Sequence, residues 1–405
     1  MGDLVLPTYE QIKSSKVRMG FLMYALRITG LMYKHKVNEG WERPLRAARA
    51  GILIIVVFLH LLNNFWQVFE FEMVHKERSL VIFFWLLQSF MSMCFLVWWQ
   101  YKGRTALLIH ILPWSDLKQS YQSRRKVTLL VYFGIAGLVV IMSVFAFIGN
   151  MLYPDNPVID RAAVTPFPNF LRFVSYFIVN YAYTVWGAVL TLYCLVLVVI
   201  HEEIRSLNTS IQEAGQSPDH LKLVDELLIL HDRHANICYV LQEADATFQV
   251  YNFSMLTANI PTAIFTILSC YHAFASSDKF NISMCLMEAI FCVVETLGLT
   301  TMPSKINTAL QNTEKAIYNN RKLWKPYQAD VYNLLQSFIT QNKQPGLGMS
   351  AWGFAIVSKS LILTTVSLVV TYLTLLIQLS DSPGEAGELF KRFLNSTNHA
   401  NSTVD

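Results

Sequence analysis

Thr371-Tyr372-Leu373-Thr374-Leu375-Leu376-Ile377-Gln378-Leu379 closes the last apolar segment of the chain. The run is apolar enough for hydrocarbon, yet threonine, tyrosine and glutamine interrupt it. A glutamine amide has no water to bond to in a bilayer core, so at that depth it must face protein or a wet lumen. The stretch reads as a membrane-crossing helix with one polar side. The plainer alternative is a polar-dotted helix of any polytopic protein.

Composition agrees with a membrane protein. Of 405 residues, 53% are hydrophobic and 15% charged, against about 25% charged in a soluble domain. Apolar stretches of spanning length recur throughout, which gives an all-α polytopic fold. The first 46 residues are polar and basic, so no cleavable signal is expected. Leu6 stands where myristoylation needs Ser or Thr. The net charge of +4 comes from basic residues beside spans, so no nucleic-acid partner is expected. The six cysteines show no CxxC and no metal-ligand spacing, and no metal or cofactor is expected. Cys270 and Cys285 bracket one short loop and could pair across it.

Seven spans are expected, near 47–69, 79–100, 127–149, 171–200, 249–276, 284–302 and 355–379. The segments 1–46, 101–127, 201–248 and 303–350 carry 8, 6, 3 and 6 Lys and Arg. The alternating segments 70–78, 150–170, 277–283 and the tail carry 2, 1, 1 and 2. Basic residues stay inside, so the N-terminus is expected in the cytoplasm and the C-terminus outside. Asn281, Asn395 and Asn401 begin N-x-S/T sequons on the expected outer face and are candidate glycosylation sites. Asn208 and Asn252 begin sequons too, but on the inner side or in a span, so the motif alone is weak.

Residues 201–248 are charged yet keep helical rhythm. Leu221, Val224, Leu227, Leu228, Leu230 and His231, then Ile237, Val240 and Leu241, recur at three- and four-residue spacing. Gly215 to Pro218 is the strong breaker, so span 4 is expected to run as helix to about 212 and span 5 to begin near 219. In 303–343, Ile306, Leu310, Ala316, Ile317 and Leu323 form one stripe, and Tyr332, Leu334, Leu335 and Phe338 another. These are either solvated amphipathic loops or a helical domain whose stripes pack together and against other subunits. The expected organisation is 1–46 cytoplasmic, 47–200 helices 1–4, 201–248 cytoplasmic extension, 249–302 helices 5–6, 303–350 cytoplasmic helices, 351–379 helix 7 and 380–405 extracellular tail.

Several classes are disfavoured. A G-protein-coupled receptor needs the opposite orientation, a DRY-like triplet and NPxxY, and none of these is present. No internal repeat of the transporter kind is evident. No HExxH or GxSxG occurs, and His231 and His234 at i, i+3 make a poor metal site, so no enzyme is expected.

Ala351, Gly353, Lys359, Ser360, Leu361, Thr371, Tyr372 and Gln378 fall without a gap on a pattern that resembles the closing signature of the insect gustatory receptor family, within the gustatory and odorant receptor ion-channel superfamily. Departures are Ala355 where the family has Phe, a terminal Leu379, and a tail that runs on past the motif. The likeness is sharp over about 30 residues and architectural elsewhere. It implies a seven-helix chemoreceptor that is itself a ligand-gated cation channel, a homotetramer or heteromer in the plasma membrane of a sensory neuron. It also implies that the seventh helix lines a central pore and that the cytoplasmic helices form an anchor between subunits.

On that resemblance Gln378, Ile377, Thr374, Thr371, Val370 and Ser367 are the pore candidates. Rings of hydroxyl and amide oxygens would replace part of a cation's hydration shell. Alternatively Thr371 and Thr374 bond back to their own helix carbonyls. Lys359 would sit at the inner mouth, as a snorkelling anchor or paired with Glu295 of span 6. A small-molecule (tastant) pocket is expected in the outer half of the bundle, from Trp85 and Gln88 of span 2, Tyr176, Asn180, Tyr183 and Trp186 of span 4, and Glu288 and Phe291 of span 6. Aromatics are more often packing or interface belts; a carboxylate inside a span is by default functional. An odorant receptor, or a transporter using Glu288, Glu295 and Lys359, is the alternative.

Overall fold

A computed structural model describes residues 26, 30, 42–70, 76–112, 134–137, 139–141, 143–144, 169–215, 220–276, 279–325, 327–344 and 346–381. Helix α1 is Glu42–Glu70, α2 Lys76–Tyr101, α3 Arg104–Ile111, α4 Asn169–Glu213, α5 His220–Ser276, α6 Lys279–Asn319, α7 Ala329–Asn342 and α8 Lys359–Asp381. A two-stranded hairpin, β1 Ser350–Ala351 and β2 Ala355–Ile356, precedes α8. Six of these helices are long and apolar enough to cross a membrane. The expected third span is described only at 134–137, 139–141 and 143–144, all helical. Most of the N-terminal segment, and the tail with Asn395 and Asn401, lie outside the described residues.

Helix α4 is the hub. Its apolar run is apolar on every side, and 83% of the most apolar window is buried among α2, α5 and α6. By contrast α1 is peripheral, with Ile52, Ile55, Leu59 and Trp66 each more than half exposed, as expected of a lipid-facing helix.

The break at Gly215 to Pro218 falls where expected: α4 stops at Glu213, Gly215 takes φ +78°, and α5 starts at His220. Helices α4, α5 and α6 are 45, 57 and 41 residues long. At 1.5 Å per residue, α5 is about 85 Å, nearly three times a bilayer's hydrocarbon thickness.

At the end carrying α7 the amphipathic stripes do form a packed domain. Ile306, Leu310, Ala316, Ile317 and Leu323 are all buried. The stripe on α7 is Val331, Leu335, Phe338 and Ile339. Tyr332, expected inside, is 38% exposed, and Leu221 on α5 is 73% exposed, because each lies off the contact face of its helix. Polar side chains stitch the helices together. Asn320 donates to the Ile211 and Ala214 carbonyls that end α4, at 2.8 and 3.0 Å. Asn208, buried, donates to the Ala309 carbonyl and accepts from Thr313, so this sequon asparagine is structural. Arg233 reaches buried Glu203 at 2.5 Å. His231 bonds Ser337 and His234 bonds Gln341, both against Phe338. Burial holds His234 below the usual imidazole range and pushes the neighbouring Cys238 thiol up to about 11.

Pro303 lies inside α6 and cannot donate to the Leu299 carbonyl four residues back. The Tyr193 hydroxyl of α4, fully buried, donates to that carbonyl instead, at 3.3 Å. Tyr193→Phe removes only that donor. It should lower stability by about 1 kcal/mol and the melting midpoint of the detergent-purified chain by about 1–3 °C. An unchanged midpoint would remove the assignment.

Candidate functional site

Helix α8 lies against α5 and α6, and no residue of its apolar stretch Lys359–Gln378 is buried. Its two sides differ. Ile362, Thr365, Val366, Val369 and Val370 line a cavity of ≈ 360 Å³ shared with α5 and α6. Ser360, Thr364, Ser367, Thr371, Thr374 and Gln378 recur at spacings of 4, 3, 4, 3 and 4 on the opposite side, all exposed. Their hydroxyls do bond back to the helix: Thr364 to Ser360, Thr371 to Ser367 and Thr374 to Val370, at 3.0, 2.8 and 2.8 Å. The hydroxyl oxygens keep lone pairs directed outward.

Four of the sequence candidates, Gln378, Thr374, Thr371 and Ser367, share that stripe. Val370 and Ile377 lie about 80° and 100° round the helix from its centre, counting about 100° per residue. Val370 instead faces the cavity. Ser360 and Thr364 extend the stripe by two turns, and the alternating four-three spacing was visible in the sequence.

The start of α8 is fixed by the hairpin rather than by an earlier helical turn. Trp352 and Gly353 take φ +50° and +71° between the paired residues Ala351 and Ala355, which keeps 351–358 out of the helix. Asp245 of α5 accepts from the Ser350 backbone N–H at 2.6 Å and from its hydroxyl at 2.9 Å. The Trp352 N–H donates to the Gln249 carbonyl, and Trp352 and Phe354 pack on Phe253. Burial raises the Asp245 carboxyl above its usual value, opposed by the two Ser350 bonds. Lys359 follows, exposed. It does not meet Glu295: the Glu295 side chain is fully buried and turned toward α2 and α4. The neighbouring α6 residues Thr296 and Thr300 are the ones that face the cavity beside α8.

Glu295 is instead bonded into a cluster of the aromatic residues expected around a ligand. Trp85 meets Trp186, Phe291 and Tyr183 edge-on at 5.2, 5.5 and 6.2 Å between ring centres. Trp186 Nε1 donates to Glu295 Oε1 at 3.2 Å. With its amide turned to satisfy both ends, Gln88 donates to Glu295 Oε2 and accepts from the Asn259 backbone N–H, each at 3.3 Å. The Trp85 indole N–H is buried with no hydrogen-bond partner. An unpaired buried donor costs about 1–3 kcal/mol, and a ligand acceptor would recover it. Thus Trp85, Gln88, Tyr183, Trp186, Phe291 and Glu295 converge. Glu288 is buried one turn from Phe291 toward the α6 N-terminus. Tyr176 and Asn180 are engaged elsewhere: Tyr176 donates to the Ser143 carbonyl at 2.6 Å, and Asn180 to the Tyr176 carbonyl. Cys270 and Cys285 are separate thiols; Cys285 sits 3.3 Å from the Ser269 hydroxyl. Asn281 lies in the first turn of α6. Among the described residues no group of three His, Cys, Asp or Glu could hold a metal ion.

Asp245→Ala removes both Ser350 bonds. Chymotrypsin should then cut at Trp352 or Phe354 several-fold faster while the long helices stay resistant. Unchanged cleavage would mean that the Phe253 stack alone holds the hairpin.

A family described as 7tm Chemosensory receptor matches residues 19–382 of this chain. No curated protein sequence matches it. The structure is similar to that of the insect olfactory receptor OR5 from Machilis hrabei in complex with eugenol, with TM-score 0.73 and 15% identity over 91% of this chain and 99% of that one. The structure of OR5 without that ligand gives TM-score 0.70 and 14% identity over the same shares.

Proposed function

We propose that this chain, which belongs to the 7tm chemosensory receptor family, is at once receptor and ion channel. A small molecule bound among α2, α4 and α6 opens a cation pore lined by α8 from several copies of the chain or of related subunits. The observation that carries this reading is the stripe Ser360, Thr364, Ser367, Thr371, Thr374 and Gln378, exposed along a membrane-length helix. Thr364, Thr371 and Thr374 already donate to their own helix, but the Gln378 amide and the remaining hydroxyl lone pairs gain nothing from hydrocarbon; facing a shared wet lumen they are solvated and can stand in for cation hydration. A four-three repeat also keeps one face turned toward partner helices along its whole length. With the N-terminus in the cytoplasm, Gln378 marks the outer end of the pore and the α7 end is the cytoplasmic anchor.

Binding is best placed at Trp85, Trp186, Phe291, Gln88 and Glu295. The carboxylate, the amide and the unpaired Trp85 donor suit a polar tastant that carries both donors and acceptors. A relay leads from there to the pore helix. Glu295 holds Gln88, Gln88 holds the Asn259 backbone, and Asn259 donates to Thr296 on the wall shared with α8. A ligand that prefers the arrangement with α8 withdrawn from the axis shifts the closed–open equilibrium by that preference. An odorant receptor is the second reading, favoured by the fold likeness to OR5.

Whole-cell recording of the chain expressed in a plasma membrane tests this, against sugars, amines and volatiles. Gln378→Ala should change the relative permeability to cations while leaving the half-maximal ligand concentration in place. Glu295→Gln should raise that concentration about fivefold, the weight of one hydrogen bond, and leave permeability alone. Saturable substrate flux without unitary currents from folded, surface-expressed protein would overturn the channel reading.

A further inference from the structure

The cavity between α5, α6 and α8 lies apart from the aromatic pocket and on the side of α8 turned away from the polar stripe. It measures ≈ 360 Å³, within the range of small-molecule sites. Its walls are almost wholly apolar, including Leu256, Ile260 and Ala263 of α5 and Val293 and Leu297 of α6. Three of the hydroxyls around it already donate their protons to their own helices. Thr296 donates to the Cys292 carbonyl, Thr300 to Thr296 and Thr365 to Leu361, at 2.7, 2.6 and 2.9 Å. Asn259 differs. It is 3% exposed, its amide nitrogen donates to Thr296 at 2.8 Å, and its Oδ1 accepts nothing. A buried amide oxygen without a donor costs about 1–3 kcal/mol unless something supplies one. Val293, Leu297 and Val366 are each about half exposed, so the cavity opens laterally at membrane depth.

We propose that this cavity is a second binding site, for a lipophilic molecule with a single hydrogen-bond donor, such as a medium-chain alkanol that enters from the bilayer. Its hydrocarbon part fills the space between Val366 and the α5 wall, and its hydroxyl donates to Asn259 Oδ1. An occupant there wedges α8 against α5 and α6, and so biases the position of the pore helix without touching the aromatic pocket. The effect on opening rests on the channel reading; the binding does not.

The test uses the full chain in phospholipid nanodiscs, photolabelled with an octanol that carries a diazirine. Adducts are expected on peptides covering 256–267, 289–300 and 362–370. Octanol should suppress them about fivefold more effectively than octane at equal membrane concentration, the weight of one hydrogen bond. Asn259→Leu should abolish that difference. Val366→Trp, at a half-exposed position that tolerates bulk, should fill the space and abolish the adducts. Equal competition by octane in the natural chain, or adducts that survive Val366→Trp, would overturn the proposal. If the adducts behave as expected while the chain shows saturable substrate flux without unitary currents, the site stands and the channel reading falls.

Discussion

Polar groups at membrane depth must be satisfied by protein or by a lumen, and the architecture depends on that constraint. At Pro303, where α6 breaks its own ladder, the Tyr193 hydroxyl donates to the carbonyl that proline cannot reach. Where a carboxylate is buried, donors from two other helices surround it, as Trp186 and Gln88 surround Glu295. On α8 the Thr371 and Thr374 hydroxyls donate to their own helix, while their remaining lone pairs and the Gln378 amide lie on an exposed face. Inside the bundle, Trp85 Nε1 and Asn259 Oδ1 depart from this pattern, each buried without a partner.

The same economy organises the α7 end. Here the bonds run from side chain to helix backbone: Asn320 closes α4, and Asn208 and Asn342 reach carbonyls of α6. Each uses an amide to join two helices that apolar stripes alone would leave free to slide. The hairpin held by Asp245 extends this scheme to the first residue of α8, so that helix starts from a fixed point on α5.

The sequence carried the large features because they follow from period and length. The break near Gly215, the extension of α4 and α5, and the buried stripe from Ile306 to Leu323 all express helical spacing over many residues. The clustering of Trp85, Trp186 and Phe291 was legible in part, since all were expected in one half of the bundle. What spacing could not give was rotation between helices. Glu295 and Thr296 are adjacent in sequence, yet one faces α2 and α4 while the other faces α8. The supposed Lys359–Glu295 pair failed for that reason. The hairpin at 350–356 was missed because its strands are two residues each, too short for any periodicity.

The length of α5 has a consequence for how the molecule comes apart. One helix of 57 residues, its ladder missing only the rung at Pro261, belongs to both the apolar bundle and the packed α7 end. Melting either half frays the backbone ladder of the other, so the two are thermodynamically one unit. The part beyond the membrane is therefore no module to be grafted or excised, and the chain should lose its structure in a single cooperative transition.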